Sequence, residues 1–99
     1  MTINTEKDNN RLKLTLEGDL NTLAAPDFEK AYVEGKDGVN EVVVDMEKLK
    51  YITSAGLRVI LFIQQEMEDI GGSLTVCNVN DDIMEVFNFS GFVQFLDIQ

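Results

Sequence analysis

Leucines alternate with polar residues along Arg11 to Gly18 (RLKLTLEG): Leu12, Leu14 and Leu16 share one side, and Lys13, Thr15 and Glu17 the other. Successive side chains of an extended chain point to opposite faces, so this spacing predicts a half-buried strand. Met1 to Lys7 predicts a weaker, more polar strand, and the turn residues Asp8, Asn9 and Asn10 would join the two as a hairpin. From Leu20 to Glu34 the apolar spacing becomes helical through Leu23, Phe28, Ala31 and Tyr32, with Pro26 suited to the first turn and Gly35 to a stop just past the end. Glu41 to Met46 (EVVVDM) is a continuous β-branched run, the pattern of a buried parallel strand that ends near Asp45 and gives way to a loop. Ser54 to Ile70 is the strongest helical pattern, closed by Gly71 and Gly72, and its stripe of Val59, Ile60, Ile63, Met67 and Ile70 is expected in the core. Ser73 to Val79 (SLTVCNV) predicts another strand. Asp81 or Asp82 would cap a short helix reaching Phe89 and stopped by Gly91, and Val93 to Ile98 predicts a last strand at an edge.

The resulting order is β-β-α-β-α-β-α-β. Strands alternating with helices through short connections imply parallel pairing with right-handed crossovers, and the opening hairpin adds one antiparallel strand. The fold class is therefore α/β, a mixed β-sheet with helices, in one domain over residues 1–99. No linker, repeat or low-complexity tract divides the chain, and its length supports a single core. Strand order is not legible from the pattern.

Charge narrows the function. Asp and Glu total 18 against 8 Lys and Arg, a net charge of -10. Such a surface repels nucleic acid and anionic lipid, because phosphate binding runs on Lys and Arg, so neither nucleic acid nor membrane is an expected partner. There is no histidine, the commonest general base and metal ligand, and the one cysteine, Cys77, cannot form an internal disulfide. Cys77 is expected to be an inert buried thiol. The opening residues are polar, and the longest apolar run, Val59 to Ile63, is far too short to span a bilayer, so a cytoplasmic location is expected.

Candidate chemistry concentrates in Val44 to Ile60 (VDMEKLKYITSAGLRVI), where a buried strand leads to a helix that begins at Thr53 or Ser54. Either hydroxyl can cap a helix, because a side-chain oxygen accepts from an orphan backbone N–H. Ala55 and Gly56 keep the first turn small and open to close approach. The carboxyl end of a strand and the helix start that follows it are where α/β folds place functional groups. An enzyme would have to recruit Asp19 and Asp45 as carboxylates near Ser54, but no residue supplies the base that would activate the serine, and no Gly-Lys-Ser/Thr phosphate loop exists. The reading is a protein that is not an enzyme and needs no cofactor or metal.

The stretch YITSAGLRVIL resembles the signature of the STAS family of anti-sigma-factor antagonists, in which a phosphorylatable serine opens a helix and is followed by a small residue, Gly and Leu. Ser54 stands at the serine, followed by Ala55, Gly56 and Leu57. LEGDLN at Leu16 to Asn21 resembles the family's glycine-plus-acidic turn, and IGGSLTVCNV and VFNFSGFV resemble its last strand and short helix, so the likeness spans nearly the whole chain. The resemblance implies a STAS-like domain that works as a partner switch. The unphosphorylated antagonist binds an anti-sigma factor that is itself a serine kinase and frees a sigma factor. Phosphorylation of Ser54, or of Thr53 one residue earlier, ends binding, and a metal-dependent serine phosphatase resets it. A STAS-type accessory subunit of a transport or stress-sensing complex is the alternative. Two positions depart from the family's pattern: Thr53 stands where Asp often precedes the serine, and Asn21 where Asp often stands in the turn. The implied partner surface comprises Asp19, Asn21, Thr53, Ser54, Ala55 and Gly56. Arg58 and Phe62, which lie off the apolar stripe, would extend it, with Phe62 contributing an aromatic anchor whose loss leaves stability unchanged.

Overall fold

The computed structural model describes residues 1–99. Strands β1 (Thr2–Asp8), β2 (Arg11–Leu20), β3 (Glu41–Ile52), β4 (Ser73–Cys77) and β5 (Asp97–Ile98) form one sheet in the order β1-β2-β3-β4-β5. Only β1 runs antiparallel, paired with β2 from Thr2↔Glu17 to Asp8↔Arg11 around a tight turn at Asn9, whose φ is 56°. β2, β3, β4 and β5 are parallel neighbours. Helices α1 (Ala25–Gly35), α2 (Ser54–Asp69) and α3 (Asp81–Ser90) make the connections. Because the sheet grows in one direction, crossovers of one hand lay every helix on the same face. The buried side chains of all three helices accordingly join Leu12, Leu14 and Leu16 of β2 and Leu74 and Val76 of β4 in one cluster. Val43 is buried but stands outside it, on the opposite face, as the alternation of side chains along a strand requires.

The expected element order holds, while several boundaries move. β2 continues two residues past Gly18, and its last residue, Leu20, is fully buried. The helix expected from Leu20 begins only at Ala25, because Asn21 first builds a turn: its Oδ1 accepts from Ala24 N at 2.9 Å and its carbonyl from Ala25 N at 2.9 Å. Leu23, expected on the core stripe, sits in that turn and is 86% exposed. No loop follows Asp45: β3 runs on to Ile52, burying Met46, Leu49 and Ile52, with register shifts against β2 between Thr15 and Glu17 and between Gly18 and Asp19. Ile70 leaves the core because α2 ends before it and the chain turns away through Gly71 at φ +73°; it is 58% exposed.

β4 stops at Cys77 because Asn78 adopts a left-handed backbone with φ 58°. The cap of α3 is Asn80, not Asp81 or Asp82: its Oδ1 accepts from Ile83 N at 2.9 Å while its Nδ2 donates to Leu49 O at 2.9 Å, which ties the helix to β3. The expected strand from Val93 is a short 3-10 helix, Phe92–Gln94, followed by the two-residue β5. Gly91, at φ 80°, reverses the chain, and Leu96 N donates to Phe92 O, a coil that turns Phe92 and Leu96 inward. No helix is long and apolar enough to cross a membrane.

Between α1 and α2 lies a polar tie. The hydroxyl of buried Tyr32 donates to Glu66 Oε1 at 2.7 Å, and Lys36 Nζ lies 3.0 Å from the same oxygen. The Tyr32 hydroxyl and then the Lys36 ammonium hold the Glu66 carboxyl below its usual range, and burial followed by the adjacent carboxylate raises the Tyr32 phenol.

Candidate functional site

The parallel strands β2 and β3 end together, with Leu20 opposite Ile52, so the turn before α1 and the start of α2 share one edge of the sheet. A single acceptor fastens them: Leu20 O receives the Thr53 backbone N–H at 3.0 Å and the Thr53 Oγ1 hydroxyl at 3.2 Å. Thr53, with extended backbone (φ -103°, ψ 173°), is the N-cap residue of α2, and its carbonyl accepts from Leu57 N. Its hydroxyl reaches back to the sheet, so no side chain caps the helix.

Ser54 is therefore the first residue inside α2. It is exposed, as the sequence requires of a modifiable serine. It does not carry the capping role that serine chemistry allows, because that position belongs to Thr53. The first turn of α2 contains no acidic residue, so the partial positive charge of its unsatisfied N–H groups is not offset from within the helix. A phosphate on Ser54 would meet that field.

Gly56 is buried and does not join the partner surface expected of it. A Cβ there would lie 2.6 Å from Leu20 Cγ and 3.1 Å from Ile52 Cγ1, so the missing side chain lets the first turn of α2 settle onto the ends of β2 and β3. Gly18 has φ +106° at the register shift that brings Asp19 opposite Tyr51. Asp19 is exposed there, and Asn21 is half-buried with its amide oxygen engaged by Ala24 N. Asparagine in place of aspartate keeps the turn's acceptor and removes its charge.

Ala55, Arg58 and Phe62 share a shallow hollow between α1 and α2 with Thr22, Pro26 and Glu29. Arg58 is exposed, and none of the ion pairs in the structure involves it. Phe62 is half-buried, edge-on to Tyr32 with ring centroids 5.9 Å apart at 89°. It packs against the core, so stability and surface are not separable at this residue as expected.

Asp45 lies seven residues before the end of β3, remote from the start of α2. Burial raises its pKa, but the Asn78 amide, the Glu47 N–H and Lys13 together outweigh this and hold the carboxyl below its usual value. It is a structural carboxylate and brings no second acid to Ser54. Cys77 is half-exposed rather than buried, and burial followed by Asp45 pushes its thiol up, away from the reactive thiolate. Two exposed residues of this edge escaped sequence reasoning, Leu23 and Tyr51. Tyr51 was hidden because Met46, Leu49 and Ile52 are buried at intervals of three, across the two register shifts against β2, and do not alternate as a regular strand would; Leu23 carried no signal apart from the turn-forming Asn21.

The family model described as the STAS domain matches residues 2–99. BtrV of Bordetella bronchiseptica (strain ATCC BAA-588 / NCTC 13252 / RB50), whose name places it provisionally among anti-sigma factor antagonists, is 32% identical over 99 residues, covering 99% of this chain and 85% of that protein. A crystal structure from Thermotoga maritima, given the same provisional class, superposes with a TM-score of 0.89 at 19% identity, covering 97% of this chain and 84% of that one. The Bacillus cell fate determinant SpoIIAA in its phosphorylated form gives 0.79 at 20% identity, covering 99% and 91%. At such identities the likeness of the two structures is one of fold.

Proposed function

The chain belongs to the STAS-domain family, and from that premise we propose that it is an anti-sigma factor antagonist that acts by binding, not catalysis. The unphosphorylated protein binds an anti-sigma factor that is a serine kinase and so frees a sigma factor. Phosphorylation of Ser54 ends the complex, and a metal-dependent serine phosphatase restores it, all in the cytoplasm. The observation that carries this reading is the exposed Ser54 in the first turn of α2, its hydroxyl committed to no capping bond.

A phosphoserine brings about -1.5 to -2 charges and three acceptor oxygens. Placed where backbone N–H groups are unsatisfied, it is tolerated by its own helix. The consequence falls on the partner, which meets new bulk and charge in a fitted surface. The docking edge offers Asp19, Asn21, Thr53, Ser54 and Ala55, extended along α2 by Arg58 and the exposed part of Phe62. Thr53 is the less suited acceptor, since its hydroxyl is half-buried and bonded to Leu20 O.

The test is affinity capture from the native cell on wild type, Ser54→Ala and Ser54→Asp, with phosphopeptide mass spectrometry. Wild type and Ser54→Ala should retain a serine kinase of the anti-sigma type, Ser54→Asp should release it, and phosphate should map to Ser54. Phosphate on Thr53 would shift the register by one residue. Equal capture by all three proteins, without phosphate on either hydroxyl, would reject the switch and leave an accessory subunit of a larger complex.

A further inference from the structure

Away from the Ser54 edge, exposed apolar side chains, two of them aromatic, cluster in sequence at the C-terminal end of α3. Phe89 is 96% exposed, Phe95 60% and Val93 41%. These residues lie within one tightly coiled stretch, where Gly91 N donates to Asn88 O, Gln94 N to Gly91 O and Phe95 N to Phe92 O. Phe92 and Leu96 take the inward positions of that coil, so burial of the segment is already provided for without the other three.

The surroundings are acidic. Asp82, Glu85 and Phe89 recur at i, i+3 and i+7 and form the exposed stripe of α3, opposite buried Ile83 and Phe87. Residues 59–99 carry seven Asp and Glu and no Lys or Arg. None of the ion pairs in the structure reaches α3 or Asp97. Asp97 accepts only from the neutral Thr75 Oγ1 and Gln99 Nε2. Lys48 and Lys50 share a surface hollow with Asp82 near the start of the helix, seven residues and about 10 Å along its axis from Phe89.

We propose that the C-terminal end of α3 and the coil after it form a second docking surface, and that its occupant is a basic amphipathic helix of a partner protein. Exposed apolar side chains gathered in one short coil and rimmed by acids fit an interaction site, and the acids beside them select the partner's charge. A second copy of this chain would bring the same uncompensated acids face to face, and an anionic bilayer would be repelled. A helix with one apolar and one Lys/Arg face satisfies both features at once.

The surface is independent of the Ser54 switch. Each helix runs back against the parallel strands, so Ser54, at the start of α2, lies at the carboxyl edge of the sheet, while Phe89, at the end of α3, lies at the opposite edge. A partner seated here leaves Ser54 free.

The probe is a labelled Leu/Lys peptide of about 18 residues, five helical turns, with the leucines on one face. Its controls are the Leu/Glu counterpart and a scrambled Leu/Lys peptide without an apolar face, all read by fluorescence anisotropy. Saturable binding of the amphipathic basic peptide is expected, about tenfold weaker for Phe89→Ser/Phe95→Ser although net charge is unchanged. Glu85→Lys should also weaken it, raising salt from about 50 to 300 mM should reduce it, and Ser54→Asp should leave it unaltered. Phe89→Ser alone is the safeguard against misfolding, since that side chain touches almost nothing. Absence of binding overturns the proposal, as does equal binding of the scrambled peptide or of the Phe89→Ser variant, which would reduce the effect to bulk charge. A dimer in sedimentation velocity that Phe89→Ser dissolves would assign the patch to a second copy instead. Loss of binding in Ser54→Asp would place the peptide at the other edge and equally overturn it.

Discussion

Replacing Ser54 by aspartate puts a permanent carboxylate in the first turn of α2, and the structure fixes what that does to stability. No bond is lost, because Ser54 is exposed and makes no capping hydrogen bond. A charge is gained where the sixteen-residue helix has no acid in its first turn. An anion there is worth about 0.3–1 kcal/mol at low ionic strength. For a domain of 99 residues, each kcal/mol moves Tm by about 4–8 °C, so Ser54→Asp should melt about 1–8 °C above wild type. Ser54→Ala should be close to neutral, within about 0.5 kcal/mol, since alanine suits a helix at least as well and no acceptor is removed. Thr53→Ala should cost about 1 kcal/mol, because the Oγ1 bond to Leu20 O that joins α2 to β2 disappears. Thermal unfolding by circular dichroism at pH 7 reads all three, and repeating it in about 0.3 M salt should shrink the gain of Ser54→Asp, an exposed electrostatic effect. The reasoning fails if Ser54→Ala drops as far as Thr53→Ala, which would make the serine oxygen the cap. It fails equally if Ser54→Asp melts below wild type, because loss of partner binding could then be unfolding and not repulsion at the interface.

Gly56→Ala should destabilise by about 1 kcal/mol: helix propensity favours alanine by about that much, but overpacking against Leu20 and Ile52 costs about 1–3 kcal/mol. A raised Tm would mean that Leu20 yields freely. Phe62→Ala should cost about 2 kcal/mol through lost burial and the lost edge contact with Tyr32; Arg58→Glu, on an exposed side chain, should leave Tm within a few degrees and is the cleaner probe of the partner surface. Tyr32→Phe should cost about 1.5 kcal/mol near pH 7, the lower end for a bond to a charged acceptor because Glu66 is partly solvated and keeps Lys36. Since the folded protein depresses the Glu66 pKa, the stabilisation is present above the ordinary carboxylate range and is lost as pH falls through the folded value. The Tm gap between Tyr32→Phe and wild type should therefore narrow below about pH 4, and a gap independent of pH would mean that the hydroxyl acts only by packing.

The element types and their order were legible in the chain itself, because a period of two at Leu12, Leu14 and Leu16, a helical period at Val59, Ile60, Ile63 and Met67, and glycines at positive φ act over a few residues. So was Ser54 at the opening of a helix. Tertiary structure decided how far each element runs. β3 continues through Glu47, Lys48 and Lys50, whose exposed side chains read as loop, because Met46, Leu49 and Ile52 find the core and the backbone finds β2. Leu23 looked like a core residue until the Asn21 turn, fixed by a side-chain oxygen, delayed the helix and left it in solvent. Thr53 took the cap position because Leu20 O, 33 residues earlier, lay within reach of its hydroxyl, and Gly56 proved to be a packing glycine because the same Leu20 fills the space of its missing side chain. Local periodicity and charge are properties of neighbouring residues and can be read from the sequence. Which carbonyl ends beside which hydroxyl, and which methyl beside which glycine, depends on strand register across the sheet, and that is settled only when distant segments pack.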